Sequence, residues 1–332
     1  MKTRLARWLV DIWYKDSFIG VLLMPLGLIF SVAVRLRKFL YSLGVLKKHT
    51  VPVPVVVIGN ITVGGTGKTP LIIWLARFLK DSGYQSGIIS RGYGGRSELW
   101  PQWVTATSDV KQVGDEALLI AKQTGCPMVV SPMRVDAAKM VQQQTDCNVI
   151  LSDDGLQHYA LNRDIEIAVI DGERRFGNGH CLPAGPLREP INRLQSVDFI
   201  VVNGKKLEDN EFSMNITGNL AINLITGEQK SWQQFVDIEC HALAGIGNPD
   251  RFFKLLEIAG LSCKTHSFPD HYKFQSYDIE FNDDKPVLMT EKDAVKCATF
   301  AGSQHWYVPV KAVPESGFSE QLLALLREKY DR

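Results

Sequence analysis

Eight residues, Thr62-Val63-Gly64-Gly65-Thr66-Gly67-Lys68-Thr69, narrow the choice of fold more than any other stretch of the chain. They follow the apolar β-branched run VPVVVIGN (53–60) and lead through Pro70 into the apolar stretch PLIIWLARFLKDSG (70–83). A strand, a glycine turn and a helix in that order turn backbone N–H groups and the positive helix end toward a phosphate. The general pattern G-x-x-x-x-G-K-[ST] asks for Gly where Thr62 stands, but Gly64, Gly65 and Gly67 restore the backbone freedom it needs. In such a loop residues 62–67 wrap phosphate oxygens, Lys68 reaches the β- and γ-phosphates, and the Thr69 hydroxyl can ligate Mg²⁺. Pro70 suits a first helical turn, where an amide donor is dispensable. A glycine-rich turn that merely precedes Lys-Thr is the plain alternative, and the flanking strand and helix weigh against it. Val63 occupies the position where the related loop K-G-G-x-G-K-[ST] carries a signature lysine, which argues against the ATPases that use that lysine across a dimer.

The text beyond residue 51 alternates short apolar runs with amphipathic stretches, the pattern of a mostly parallel sheet in an α/β fold. Strands are expected at 85–90, 126–131, 147–154, 165–172 and 196–204, with helices over 70–83, 115–125 and 134–146. A chain of 332 residues has room for about two domains. The polar chain from Lys205 to about Gly218 marks a boundary, giving a P-loop core over 49–210 and a smaller α/β domain over 211–332.

Residues 1–48 are a third, chemically distinct part. They hold nine Lys/Arg against Asp11 and Asp16, so the formal net charge of +1 conceals a basic start and an acidic body. Phe18–Val34 carries no charge and is bracketed by Trp8, Trp13, Tyr14 and Lys15 before it and Arg35, Arg37 and Lys38 after it. Aromatic and basic flanks around an apolar run are a membrane-contact signature. At 17 residues the run is short for a span, Pro25 falls in its middle, and basic residues lie on both sides. A helix lying in the cytoplasmic interface, attracted to anionic lipid, fits best. A cleaved signal lacks its small-residue site, and a buried core helix leaves the basic flanks unexplained. The six cysteines are scattered without a C-x-x-C pair, as expected of a reducing compartment. The net acidic body argues against nucleic-acid binding.

A nucleotide-bound Mg²⁺ needs a second anchor, normally an Asp at the end of an apolar strand. Asp153 and Asp154 close the run VILSDD and supply it, with His158 as a neighbour able to orient them. Asp115, in Gly114-Asp115-Glu116, reads on its own as a helix cap. Thr290-Glu291-Lys292-Asp293 resembles the base-reading loop of GTPases, but the inserted Glu291 breaks the register, so guanine specificity does not follow. The loop is a candidate wall of an adenine pocket.

Taken in order, GGTGKTP (64–70), SRGYG (90–94), GDE (114–116), DDGLQH (153–158), GPLRE (185–189) and TEKDAVK (290–296) resemble the tetraacyldisaccharide 4′-kinase family, the lipid A 4′-kinases of Gram-negative bacteria. The resemblance spans essentially the whole chain. It implies transfer of the ATP γ-phosphoryl group, with Mg²⁺, to the 4′-hydroxyl of a tetraacylated glucosamine disaccharide 1-phosphate, giving lipid IV-A at the cytoplasmic face of the inner membrane. It also implies that Asp115 is the base and that His271, in Phe268-Pro269-Asp270-His271-Tyr272, is its partner. Arg188 would cover the transferring phosphoryl and Glu189 would assist the metal, since a guanidinium fork spreads over several oxygens. Arg91 would hold an anionic head group and Tyr93 would stack on sugar. Two competing readings are a P-loop GTPase or ATPase acting as a nucleotide switch at the membrane, and a nucleotide-gated adaptor. The residues name no protein partner.

Overall fold

The computed structural model describes residues 12–15 and 18–330. Its centre is Val55–Gly59 (β1), buried at every position, as a strand covered on both faces must be. Val149–Asp153 (β5) and Ile165–Asp171 (β6) flank it in parallel. The sheet is completed by Ser86–Ser90 (β2), Gln102–Val104 (β3), Met128–Val130 (β4), Phe199–Asn203 (β7), Glu211–Thr217 (β8) and Lys311–Pro314 (β15). The nine strands run in the order β15-β8-β7-β6-β1-β5-β2-β4-β3, antiparallel only at the two edges. Helices Lys68–Asp81, Asp115–Thr124 and Ser316–Tyr330 cover one face through Leu71, Leu75, Leu118, Ile120, Phe318 and Leu322. On the other face the helix Arg134–Gln144 packs through Val135, Ala138 and Val141. Since β1 has β5 on one side and β6 on the other, a crevice opens at the carboxyl end of β1, where open α/β sheets bind ligands.

The second sheet contains Leu220–Asn223 (β9), Gln229–Ser231 (β10), Cys240–Ala244 (β11), Cys263–Ser267 (β12), Val287–Thr290 (β13) and His305–Val308 (β14), ordered β10-β9-β14-β13-β11-β12. The boundary expected at 210/211 needs correction. β8 and β15 both belong to the large sheet, and the last helix packs on the large core, so the smaller unit is an insertion between β8 and β15. Only Glu211 and Met214 of β8 are buried, the rest being half-buried or exposed amid polar chain, and hydropathy alone does not separate such a strand from a linker. The two crossings run side by side: a Cβ on Gly218 would lie 2.9 Å from the Pro309 carbonyl oxygen.

The helix Phe18–Ser42 is longer than its apolar run, and Pro25 lies inside it rather than ending it. Its 25 residues measure about 37 Å. Gly20 and Gly27 dock it on the body, where a Cβ on Gly27 would meet the Cys181 carbonyl oxygen at 2.9 Å. Phe18, Leu22, Leu26, Ile29, Val32 and Leu36 remain exposed, which a buried core helix would not allow. Lys2, Arg4, Arg7, Trp8, Asp11 and Asp16 lie outside the described residues.

Candidate active site

The glycine loop takes its shape from both sides. Gly64 and Gly67 adopt φ of 109° and 101°, a region open to glycine. A Cβ on Gly67 would sit 2.6 Å from Asn203 Nδ2, which donates to the Thr66 carbonyl at 3.1 Å. Along the other flank, Val63 N–H donates to the Pro186 carbonyl at 2.8 Å and Arg188 N–H to the Ile61 carbonyl at 2.7 Å. That pairing draws the segment GPLRE alongside the loop and so delivers Arg188 and Glu189. Lys68 opens the following helix, with Nζ 3.5 Å from Asp154 Oδ1.

Parallel register with β1 sets Asp153 opposite Ile58, at the mouth of the crevice. Asp153 Oδ2 accepts from the Ser90 hydroxyl at 2.9 Å. Burial, with the nearby Glu116 and Asp154 carboxylates, pushes its pKa up to about 6. Asp154 goes the other way. Burial favours its neutral form, but Lys68 and Arg188 outweigh it and hold the carboxyl well below the usual range. Arg188 Nη1 donates to both Asp154 oxygens, at 2.9 and 3.2 Å. Glu189 is buried and accepts from Gln157 Nε2 at 2.8 Å and from the Tyr159 hydroxyl, with Arg193 Nε at 3.7 Å.

Asp115 is the first residue of its helix, but its side chain does not cap it; Gly114 holds the cap position. The Asp115 carboxylate instead meets His271 Nδ1 at 3.0 and 3.2 Å. Burial works to raise the Asp115 pKa, yet the His271 hydrogen bond and the charges of Lys292 and Lys296 hold it well below the usual value. Burial likewise works against a charged His271, and the bond to Asp115 more than offsets it, so the imidazole pKa is raised. Tyr93, itself exposed, packs its ring 4.7 Å from that of His271. His158 differs: burial and the positive charges of Arg134 and Arg91 lower its pKa to about 4.

These groups line one cleft of about 780 Å³ running from Phe30, Val34 and Arg37 of the N-terminal helix to Phe252 and Leu255 of the inserted unit. Gly64–Thr69, Arg91, Tyr93, Asp153, Asp154, Arg188, Glu189 and His271 all face it. Thr62 and Val63 are outside its lining, and Asp115 lies just beneath it, reached through His271. Thr290, Glu291 and Lys292 line it as well, whereas Asp293 is fully buried and accepts from Gly245 N–H at 2.8 Å.

Residues 19–327 match the family model described as tetraacyldisaccharide-1-P 4′-kinase. The chain belongs to the tetraacyldisaccharide 4′-kinase family. A tetraacyldisaccharide 4′-kinase of Nitrosococcus oceani is 52% identical over 316 residues, 95% of this chain and 93% of that protein. One from Actinobacillus pleuropneumoniae serotype 5b is 49% identical over 312 residues, 92% and 96% of the respective chains. Among solved structures, the "apo" form of LpxK from Aquifex aeolicus in complex with ATP is similar with a TM-score of 0.79 and 27% identity, covering 93% of this chain and all of that one.

In this member of the 4′-kinase family several cleft residues escape the sequence reading. Arg134 is buried, donating to the Asp153 carbonyl at 3.0 Å and the Ser131 carbonyl at 3.2 Å, while its Nε has no partner. Burial lowers its pKa to about 10. In the string RVDAAKMV it reads as one more solvent-facing charge. Gly247 comes so close to the phosphate loop that a Cβ there would stand 2.2 Å from Gly65 N. A signal for it exists in the text ALAGIGNP, a second apolar strand, glycine turn and helix start.

Proposed function

We propose that this chain transfers the γ-phosphoryl group of ATP to the 4′-hydroxyl of a tetraacylated glucosamine disaccharide 1-phosphate, forming lipid IV-A. The observation that carries this reading is the meeting of a phosphate loop, an Asp-His pair and an exposed apolar helix at one cleft, in a chain of this family. Gly64–Thr69 cradle the phosphates, Val63 ties the loop to Pro186 from outside the cleft, and Lys68 offsets the phosphate charge. As the sugar oxygen attacks the γ-phosphorus, its proton passes to the Asp115–His271 pair by way of His271, which faces the cleft, with Asp115 as the base behind the imidazole. The new P–O bond forms as the bond to the β-phosphate oxygen breaks, and ADP leaves. Arg188 spreads its guanidinium over the transferring oxygens, releasing Asp154.

Thr69, Asp153, Asp154 and Glu189 are hard oxygen donors of the kind Mg²⁺ takes. Asp153, buried and raised to about 6, is the carboxyl that a bound cation would most relieve. Bound there, the ion would supply positive charge against the phosphate oxygens of ATP. Arg91 and Tyr93 bind the sugar phosphate end. The helix Phe18–Ser42 rests its apolar face on anionic lipid at the cytoplasmic face of the inner membrane, beside the acyl chains of the substrate.

The test is phosphoryl transfer from labelled ATP to the disaccharide monophosphate in mixed micelles, with Asp115→Ala and Lys68→Ala beside the intact chain. Labelled lipid from the intact chain alone is expected. Brisk phosphate release to water with no labelled lipid would instead favour the nucleotide switch.

A further inference from the structure

Asp115 opens a helix of the large unit and His271 sits in a turn of the inserted unit, so something must hold their two backbones in register across the interface between the units. Their sequence neighbours do so through a third element. Lys292 Nζ lies 2.9 Å from Glu116 Oε1 and 3.1 Å from Asp270 Oδ1, bridging the residue after Asp115 to the residue before His271. The lysine is itself well anchored. Thr290 Oγ1 accepts from Asp293 N–H at 3.2 Å and donates to Asp293 Oδ2 at 2.7 Å, and Gly245 N–H donates to the same oxygen at 2.8 Å. This fastens the start of the helix Glu291–Cys297 against the end of β11 and aims Lys292 across the gap. One turn later Lys296 reaches 3.7 Å from Asp115 Oδ2 and 2.6 Å from Asp293 Oδ1. Glu291 also takes a hydrogen bond from Gln123 of the helix Asp115–Thr124.

We infer that Lys292 is a positioning residue, a latch that fixes the Asp115–His271 pair by gripping Glu116 on one unit and Asp270 on the other. The motif TEKDAVK then serves domain registry more than base reading: Thr290 and Asp293 set the helix, and Lys292 spans the interface. The inference rests on the transfer reading for its catalytic consequence. Its structural content stands apart from that reading.

The test pairs hydrogen exchange with kinetics on the full chain, comparing Lys292→Met and Lys292→Arg with the parent. In Lys292→Met, amide exchange over residues 268–272 should rise about tenfold, since the loop loses its cross-interface tie. kcat should fall by about tenfold or more while KM for ATP stays within about threefold, because misplacement of reacting groups affects the chemical step. Lys292→Arg should restore most of both. Unchanged exchange and kcat in Lys292→Met would overturn the latch. So would a raised KM for ATP at intact kcat, which would make Lys292 a nucleotide ligand. Equal loss of Tm and activity in both variants would reduce it to a fold-stabilising charge. Exchange that rises as expected in a chain that labels no lipid would keep the latch and sink the transfer reading.

Discussion

Asp115 and His271 stand 156 positions apart in sequence, and their side chains meet at 3.0 Å. Titratable groups whose pKa values are shifted by a specific partner beside a cleft are what working sites are built from, and this pair spans the seam between the two units. His271 is also one of three non-glycine residues with positive φ among those described, at 56°, and Asp154 is another, at 47°. Strain of that kind persists where surrounding contacts over-determine the backbone, and it concentrates at working sites.

Removing either partner should separate chemistry from binding. Asp115→Asn keeps the shape and loses the base, so kcat is expected to fall about 10²- to 10⁴-fold with little change in nucleotide affinity. His271→Ala should lose less. Nucleotide affinity by calorimetry and turnover by lipid labelling check the two halves.

The same pair predicts a pH signature in stability. His271 is raised above its ordinary 6.5, so its contribution is full below that value and fades as pH rises through the folded pKa. Asp115 is lowered from 3.8, so its contribution is present above that value and fades as pH falls through the folded pKa. The Tm gap between the intact chain and His271→Ala should therefore be widest between these ordinary values and shrink toward alkaline pH. A gap that grows on the alkaline side would show that the pair is not the ion pair described.

Gly247 gives a prediction at the domain seam. A methyl group at this position would stand 2.2 Å from Gly65 N, so Gly247→Ala must push the inserted unit off the phosphate loop. Overpacking of that sort costs about 1–3 kcal/mol. ATP affinity should weaken by about tenfold or more, while Gly227→Ala, at a turn with open space around it, should leave it unchanged. Isothermal titration with ATP distinguishes them.

How much was legible in the text depended on how local the determinants are. The strand, glycine loop and helix of residues 53–83 form one contiguous unit whose periodicity and composition declare it, and the six expected core strands all lie in the large sheet. Asp153 and Asp154 follow from the same logic, since an apolar strand that ends in acids must present them at its mouth. Lys292 and Arg134 were opaque as partners because their roles depend on which element faces which, and a charged residue on a short amphipathic helix looks solvated in one dimension. The return of residues 311–330 to the large core was hidden for a related reason. Nothing in the string KAVPESGFSEQLLALL says which of two sheets it closes.

The N-terminal helix presents two faces that should respond oppositely to substitution. Leu26 and Ile29 are 53% and 66% exposed, so Leu26→Glu with Ile29→Glu removes apolar surface facing solvent or lipid and leaves the packing intact. Tm should stay within about one degree, as for most surface changes. Retention on vesicles with anionic headgroups should drop sharply, because burying the exposed half to two-thirds of each side chain contributes about 1–2 kcal/mol. Gly27→Leu reverses the pattern. Even the first carbon of its side chain would lie 2.9 Å from the Cys181 carbonyl oxygen and 3.0 Å from Ala184 Cβ, so the helix must lift from the body. Tm should fall while vesicle retention holds, since the exposed face is untouched. Co-sedimentation and thermal melts on the two variants read both outcomes, and equal vesicle binding by the double glutamate variant would remove the lipid contact from this face.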